Sequence, residues 1–190
     1  EYAEVIPNRP SLQYTGVRVL GGGSRGNGMQ WVRGTDWNYE AWVAATDDEL
    51  WNVSNVLEAY KEIERYTGFV PDYTRRGSDG RLTVIDAMIQ PPQTTPSSIA
   101  SKFVTAMEQL TGLPRLDDYN LLTPGARVGP FLRYQLTQET GTPSRRMSAE
   151  KAFLSPDVIA RPNLHVITGA TVVKVLIDKN KVAYGVRYIK

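Results

Sequence analysis

Apolar residues recur along this chain at two spacings, and the change from one to the other marks its elements. Val56, Leu57, Tyr60 and Ile63 stand three and four apart, which predicts a helix from Ser54 as N-cap to about Tyr66, ended by Gly68 and Pro71. Thr46 and Glu49 also fit a capping box, which would start that helix earlier. Ile99, Phe103, Met107 and Leu110, with Val104 and Ala106, make a second helical stripe from about Ser97, closed by Gly112 and Pro114 and expected in the core. Alternation around Leu82 and Val84 predicts a strand, and Pro91, Pro92 and Pro96 keep the link to the stripe extended. Residues 127–138 have the β-branched and aromatic content of one or two strands, and 148–154 of a short helix. Residues 164–168, 171–177 and 183–188 are strand-like, with Asp178, Lys179, Asn180 and Lys181 turning between the last two. The first fourteen residues hold two prolines and no helical period, so they form an extended covering segment. Residues 75–80 are charged and glycine-containing and read as an exposed turn. The mixture is an α/β (α+β) chain.

One stretch departs from both periods. Residues 16–42 read GVRVLGGGSRGNGMQWVRGTDWNYEAW, with five glycines from Gly21 to Gly28. A backbone so rich in glycine reaches positive φ cheaply and lets a bound group come against the main chain, where N–H groups can face a planar or anionic ligand. The bland alternative is a structural turn crossing another backbone closely. Met29 to Val32 should start a helix or turn beneath whatever the loop holds.

The run from Arg18 through Gly21-Gly22-Gly23-Ser24, Asn27-Gly28-Met29 and Arg33-Gly34 to Trp42 resembles the first signature of the glucose-methanol-choline (GMC) flavin oxidoreductases. Residues 161–172, RPNLHVITGATV, resemble that family's strand-turn-strand segment beside the adenine half of the flavin. The resemblance implies a noncovalent FAD site made of Arg18, Gly22, Gly23, Asn27, Gly28, Met29, Gln30 and Val172. In it Arg18 reaches the pyrophosphate, and Gly22, Gly23, Asn27 and Gly28 offer backbone contacts to the isoalloxazine. The amides near Gly28 and Gln30 face the ring's polar edge, and the main chain at Val172 meets the adenine. Where some relatives carry a flavin-linking histidine, this chain has Gly26; Arg25 beside it faces either solvent or substrate. The implied division puts 1–46 and 160–190 in the FAD-binding domain, with the first segment as a lid, and 47–159 in a substrate-binding domain.

The resemblance also implies what these residues lack. The family's G-x-G-x-x-G strand-turn-helix is not among them, since Gly21-Gly22-Gly23 is not that fingerprint, and its catalytic histidine belongs to a C-terminal region. The chain is therefore expected to be an internal slice of a longer enzyme, with no catalytic residue of its own and no turnover alone. The implied activity is hydride transfer from an alcohol CH–OH group to flavin, giving an aldehyde, ketone or lactone. A hydroxynitrile lyase on the same scaffold, and a noncatalytic remnant that binds no flavin, stand as alternatives. The expected partners are a small-molecule alcohol and the remaining segments of the same enzyme.

Composition narrows little beyond this. Twenty-two basic against twenty acidic residues, a net charge of +2, give no reason to expect nucleic acid or an anionic membrane surface. No cysteine and one histidine among 190 residues set aside disulfides and make a metal centre improbable. His165 lies on a predicted strand without an adjacent acid to orient it, so it is not expected to be catalytic. Asn52-Val53-Ser54 fits a glycosylation pattern, and Trp51 beside it argues for partial burial. Arg145-Arg146 could clamp an anion but are more often solvated; Asp47-Asp48 and Asp117-Asp118 read as solvent-facing or helix-start charges. Trp31, Trp37, Trp42 and Trp51 suit either a planar cofactor or ordinary core packing. Compartment, substrate identity and oligomeric state are not readable.

Overall fold

A computed structural model describes residues 3–4, 12–13, 16–68, 73–88, 99–116, 118–121, 133–139 and 145–190. The chain divides into two units, Glu1–Phe153 and Leu154–Lys190. In the first, β1 (Ala3–Glu4) pairs antiparallel with β2 (Leu12–Gln13), so part of the expected extended segment is a short ladder. After the glycine-rich turn come helix α1 (Asp36–Thr46), a 3₁₀ turn (Glu49–Trp51) and helix α2 (Val53–Ile63). A three-stranded sheet in the order β3 (Glu64–Tyr66), β4 (Leu82–Met88), β5 (Arg133–Thr137) has β3 parallel and β5 antiparallel to β4. Helices α3 (Ile99–Thr111) and α4 (Ala149–Phe153) complete the unit.

Local chemistry accounts for most boundaries and corrects several expectations. Thr35 and Asn38 form a reciprocal capping box that starts α1. Asn52, not Ser54, caps α2: its side chain accepts the Asn55 N–H at 2.9 Å, which engages the asparagine of the glycosylation pattern in the helix start. The Thr46–Glu49 box does not form, because Asp48 caps the intervening 3₁₀ turn instead. Helix α2 ends at Ile63, three residues early, since Glu64 and Tyr66 are buried alternately on a strand beside β4.

The stripe on α3 is not core. Val104 is 5% exposed, whereas Ile99 at 87%, Phe103 at 63% and Leu110 at 81% face outward, so the period was read correctly and its direction was not. Residues 75–80 reverse the other way. Arg76 is fully buried, and Gly77 and Gly80 run against the backbone of residues 61–64, where a Cβ would lie within 2.2 Å of main-chain atoms. A charged, glycine-containing segment is buried here because its arginine finds acid partners and its glycines permit the backbone approach. The prolines 91–96, and 127–132 of the expected strand region, lie outside the described residues.

In the second unit Pro156 opens helix α5 (Pro156–Ile159), and β6 (Thr171–Ile177) and β7 (Ala183–Ile189) form an antiparallel hairpin. Asp178 closes it as expected, its carboxylate accepting the Asn180 and Val182 N–H groups at 2.8 and 2.9 Å. Residues 164–168 are not a strand; Leu164 closes a turn on the Arg161 carbonyl, and the segment joins no ladder among the described residues.

Candidate cofactor site

The glycine run folds as a left-handed entry followed by one tight turn. Gly21 (φ 91°) and Gly22 (φ 53°) take positive φ, and Gly22–Arg25 then makes a single 3₁₀ turn. The Gly23 carbonyl accepts the N–H groups of Gly26 and Asn27 at 3.0 and 2.8 Å. The Asn27 side chain accepts the Met29 N–H at 3.1 Å, and Met29 itself stands at φ 64°, a conformation seldom taken by a residue with a side chain. Met29 thus continues a turn, one of the two forms expected after the loop.

What fixes this turn comes from more than a hundred residues away. The Met29 carbonyl accepts the Thr137 N–H at 3.0 Å, and Gln30 bridges Leu136 on β5. Gln138, just past β5, bridges Arg146 in turn. From that position Arg146 Nη1 donates to the Ser24 carbonyl at 3.0 Å and to Asn27 Oδ1 at 2.7 Å. Helix α4 then abuts the turn: the Ala149 N–H donates to Ser24 Oγ at 2.9 Å, and Arg25 pairs with Glu150 at 3.3 Å. A Cβ on Gly21 would lie 3.1 Å from that of Glu150, so the positive φ and the close approach both require glycine there.

Elsewhere the loop is not covered by the described residues. A Cβ placed on Gly22, Gly23 or Gly28 would meet nothing within 4 Å, and among the described residues no hydrogen bond engages the N–H of Gly23 or Gly28. Unengaged donors on a strip of backbone without side chains fit a planar ring carrying acceptors at its edge. Arg18, at the entry, is exposed and forms no ion pair among the described residues.

Of the eight residues expected at the site, the loop brings together Gly22, Gly23, Asn27, Gly28, Met29 and Gln30, with Arg18 a few residues before them. Val172 is on β6 of the second unit, with an exposed side chain. His165 is exposed in the same unit. The sequence reading missed Arg146 as a support of the loop; its signal was a cation in the residues just before α4.

Below the loop exit lies a buried charged network. Glu64 accepts Trp31 Nε1 at 2.7 Å, Arg33 Nη2 at 2.9 Å and Arg76 Nη1 at 3.2 Å. Arg76 also grips Asp118 through Nη2 at 2.6 Å, so of the two expectations for Asp118 solvent exposure fails and the helix start holds, its carboxylate accepting the Asn120 N–H at 2.9 Å before the turn Tyr119–Leu121; Asp117 lies outside the described residues. Asn120 accepts the Arg33 N–H at 2.7 Å and donates to the Trp31 carbonyl at 2.9 Å. Burial pushes the Arg33 guanidinium below its ordinary range, against the pull of Glu64. Trp31 packs against the apolar cluster of Leu82, Met147 and Ala152, whereas Trp37, Trp42 and Trp51 are largely exposed. A groove of about 720 Å³ opens between α1 and α2, lined by Trp42, Trp51, Tyr60 and Val56 among others.

The profile of the GMC oxidoreductases matches residues 7–190. An alcohol dehydrogenase (acceptor) of Pseudomonas putida is 34% identical over 183 residues, which are 96% of this chain and 30% of that protein. The crystal structure of pyridoxine 4-oxidase from Mesorbium loti superposes with a TM-score of 0.73 at 27% identity, over 92% of this chain and 31% of that one. An FAD-dependent oxidoreductase from Chaetomium thermophilum shares the fold with a TM-score of 0.73 at 24% identity, over 96% of this chain and 30% of its own. The chain thus spans about a third of the length of the relatives it matches. None of these three is a lyase, and the hydroxynitrile lyase reading finds no support in them.

Proposed function

This chain belongs to the GMC oxidoreductases, and from that premise we propose that it builds the isoalloxazine-facing part of an FAD site in an enzyme that oxidises the CH–OH group of a small alcohol. The observation that carries the reading is the open face of the glycine loop, where Gly22, Gly23 and Gly28 leave room for a ring against the main chain. The bound flavin would supply the hydride acceptor. The N–H groups of Gly23 and Gly28 would hold its polar edge and favour the negative charge that gathers there on reduction. Arg18 would take the pyrophosphate as a planar fork suited to oxyanions. Binding is noncovalent in this reading, because position 26 is a glycine with no imidazole to form a bond.

The alcohol's hydroxyl proton must leave as the hydride departs, and the sole histidine, His165, is exposed and has no carboxylate partner among the described residues. In this reading the proton acceptor belongs, with the remaining segments of the same enzyme, to the two thirds of the relatives' length that this chain does not span. Functionally, 1–46 and 160–190, Val172 included, serve the flavin, and 47–159 serve the substrate.

Visible absorption of the desalted protein after incubation with FAD tests the reading. A retained flavin band that bleaches with an alcohol in the intact protein is the expected result. A colourless intact protein overturns it and leaves the noncatalytic remnant.

A further inference from the structure

Arg146 lies outside the resemblance that identified the loop, yet it alone among the described side chains bonds to two points of that loop. We infer that Arg146 is a positioning residue for the FAD site, acting through Asn27 and Ser24. Its Nη1 ties the Ser24 carbonyl and Asn27 Oδ1 to one point, 3.0 and 2.7 Å away. Asn27 Oδ1 is shared, since it also accepts the Met29 N–H at 3.1 Å, so the guanidinium fixes the same oxygen that holds Met29 in its left-handed conformation. The Gly28 amide lies between these two residues, and its direction follows from theirs.

The backbone of Arg146 is tied to the end of β5. It bridges Gln138, while the Met147 N–H donates to the Thr137 carbonyl at 2.9 Å and the Thr137 N–H donates to the Met29 carbonyl. Loop, strand end and arginine form one closed circuit of hydrogen bonds. A charge-assisted bond from a fixed base is stronger and more directional than a neutral one, which is what a loop of five glycines needs to keep a single shape. Lysine could reach the same oxygens as a point charge but not hold them in a fixed plane.

This inference rests on the FAD reading for its consequence and not for its geometry, so two measurements separate them. In the intact protein, Arg146→Met should speed amide hydrogen exchange across residues 21–30 of the flavin-free form by about tenfold or more, leave exchange in β4 and α2 unchanged, and weaken FAD binding by about tenfold. Arg146→Lys should restore part of both. Unchanged exchange in the loop overturns the inference whether or not flavin binds. Faster exchange with unaltered FAD affinity overturns the link from Arg146 to the cofactor. Faster exchange in a protein whose unsubstituted form binds no FAD supports the positioning role and overturns the cofactor reading alone.

Discussion

Single residues in this chain are set by what their neighbours allow. Tyr39 is buried with its hydroxyl accepting the Gly34 N–H at 2.8 Å, and burial, seconded by Tyr60, raises its pKa from 10.0 to about 12. Below pH 10 folded and unfolded chains both keep this proton, so its contribution is constant. Between pH 10 and about 12 the unfolded chain loses the proton while the folded one retains it, and stability falls as pH rises. Tyr66, also buried and bonded to Asp86, is raised in the same direction. Phenolate absorbance should show two tyrosines that ionise only as the fold is lost; free titration of all ten near pH 10 would refute it. Residue chemistry was legible where it depends on backbone alone: the glycine run folds as a turn with positive φ at Gly21 and Gly22. It was illegible where a side chain acts across the fold, as Arg76 and Arg146 do, because adjacent arginines look the same in sequence whether solvated or engaged.

At the scale of elements, periodicity located α2, α3, β4, β6 and β7 but could not orient them. The α3 stripe shows why: a repeat of three and four says that a face is apolar, not that this part of the molecule covers it. Replacing Ile99 and Phe103 by lysine should change stability by no more than about 0.5 kcal/mol, whereas Val104→Ala should cost about 1–2 kcal/mol, measured by urea unfolding. Equal losses from both faces would show α3 to be packed differently. The early end of α2 has a similar origin. Glu64 and Tyr66 fit a helical period as well as a strand, and only pairing with Leu82 and Val84 decides. The capping residues Thr35 and Asn52 obey local rules but were eclipsed by the loop signature and by Ser54.

Taken as a whole, the first unit is organised by Glu64, which gathers Trp31, Arg33 and Arg76 from segments far apart in sequence. Two buried guanidiniums depend on it, so Glu64→Ala should cost about 3–5 kcal/mol in urea unfolding, far beyond the loss of one surface charge. A loss under about 1 kcal/mol would mean that Asp118 alone balances both arginines. Only the resemblance to a known family made the two separated signature segments legible together. The loop and its clamp are 125 residues apart at Ser24 and Ala149, and that separation has a meaning in time. At a synthesis rate of about 5–20 residues per second, the loop leaves the ribosome roughly 6–25 s before its clamp exists. During that interval the bonds that Arg146 and Ala149 give to Ser24 and Asn27 do not exist. The expected consequence is an order of assembly: a nascent chain halted before residue 145 should retain less FAD than one that has passed residue 149, measured by flavin fluorescence of stalled chains.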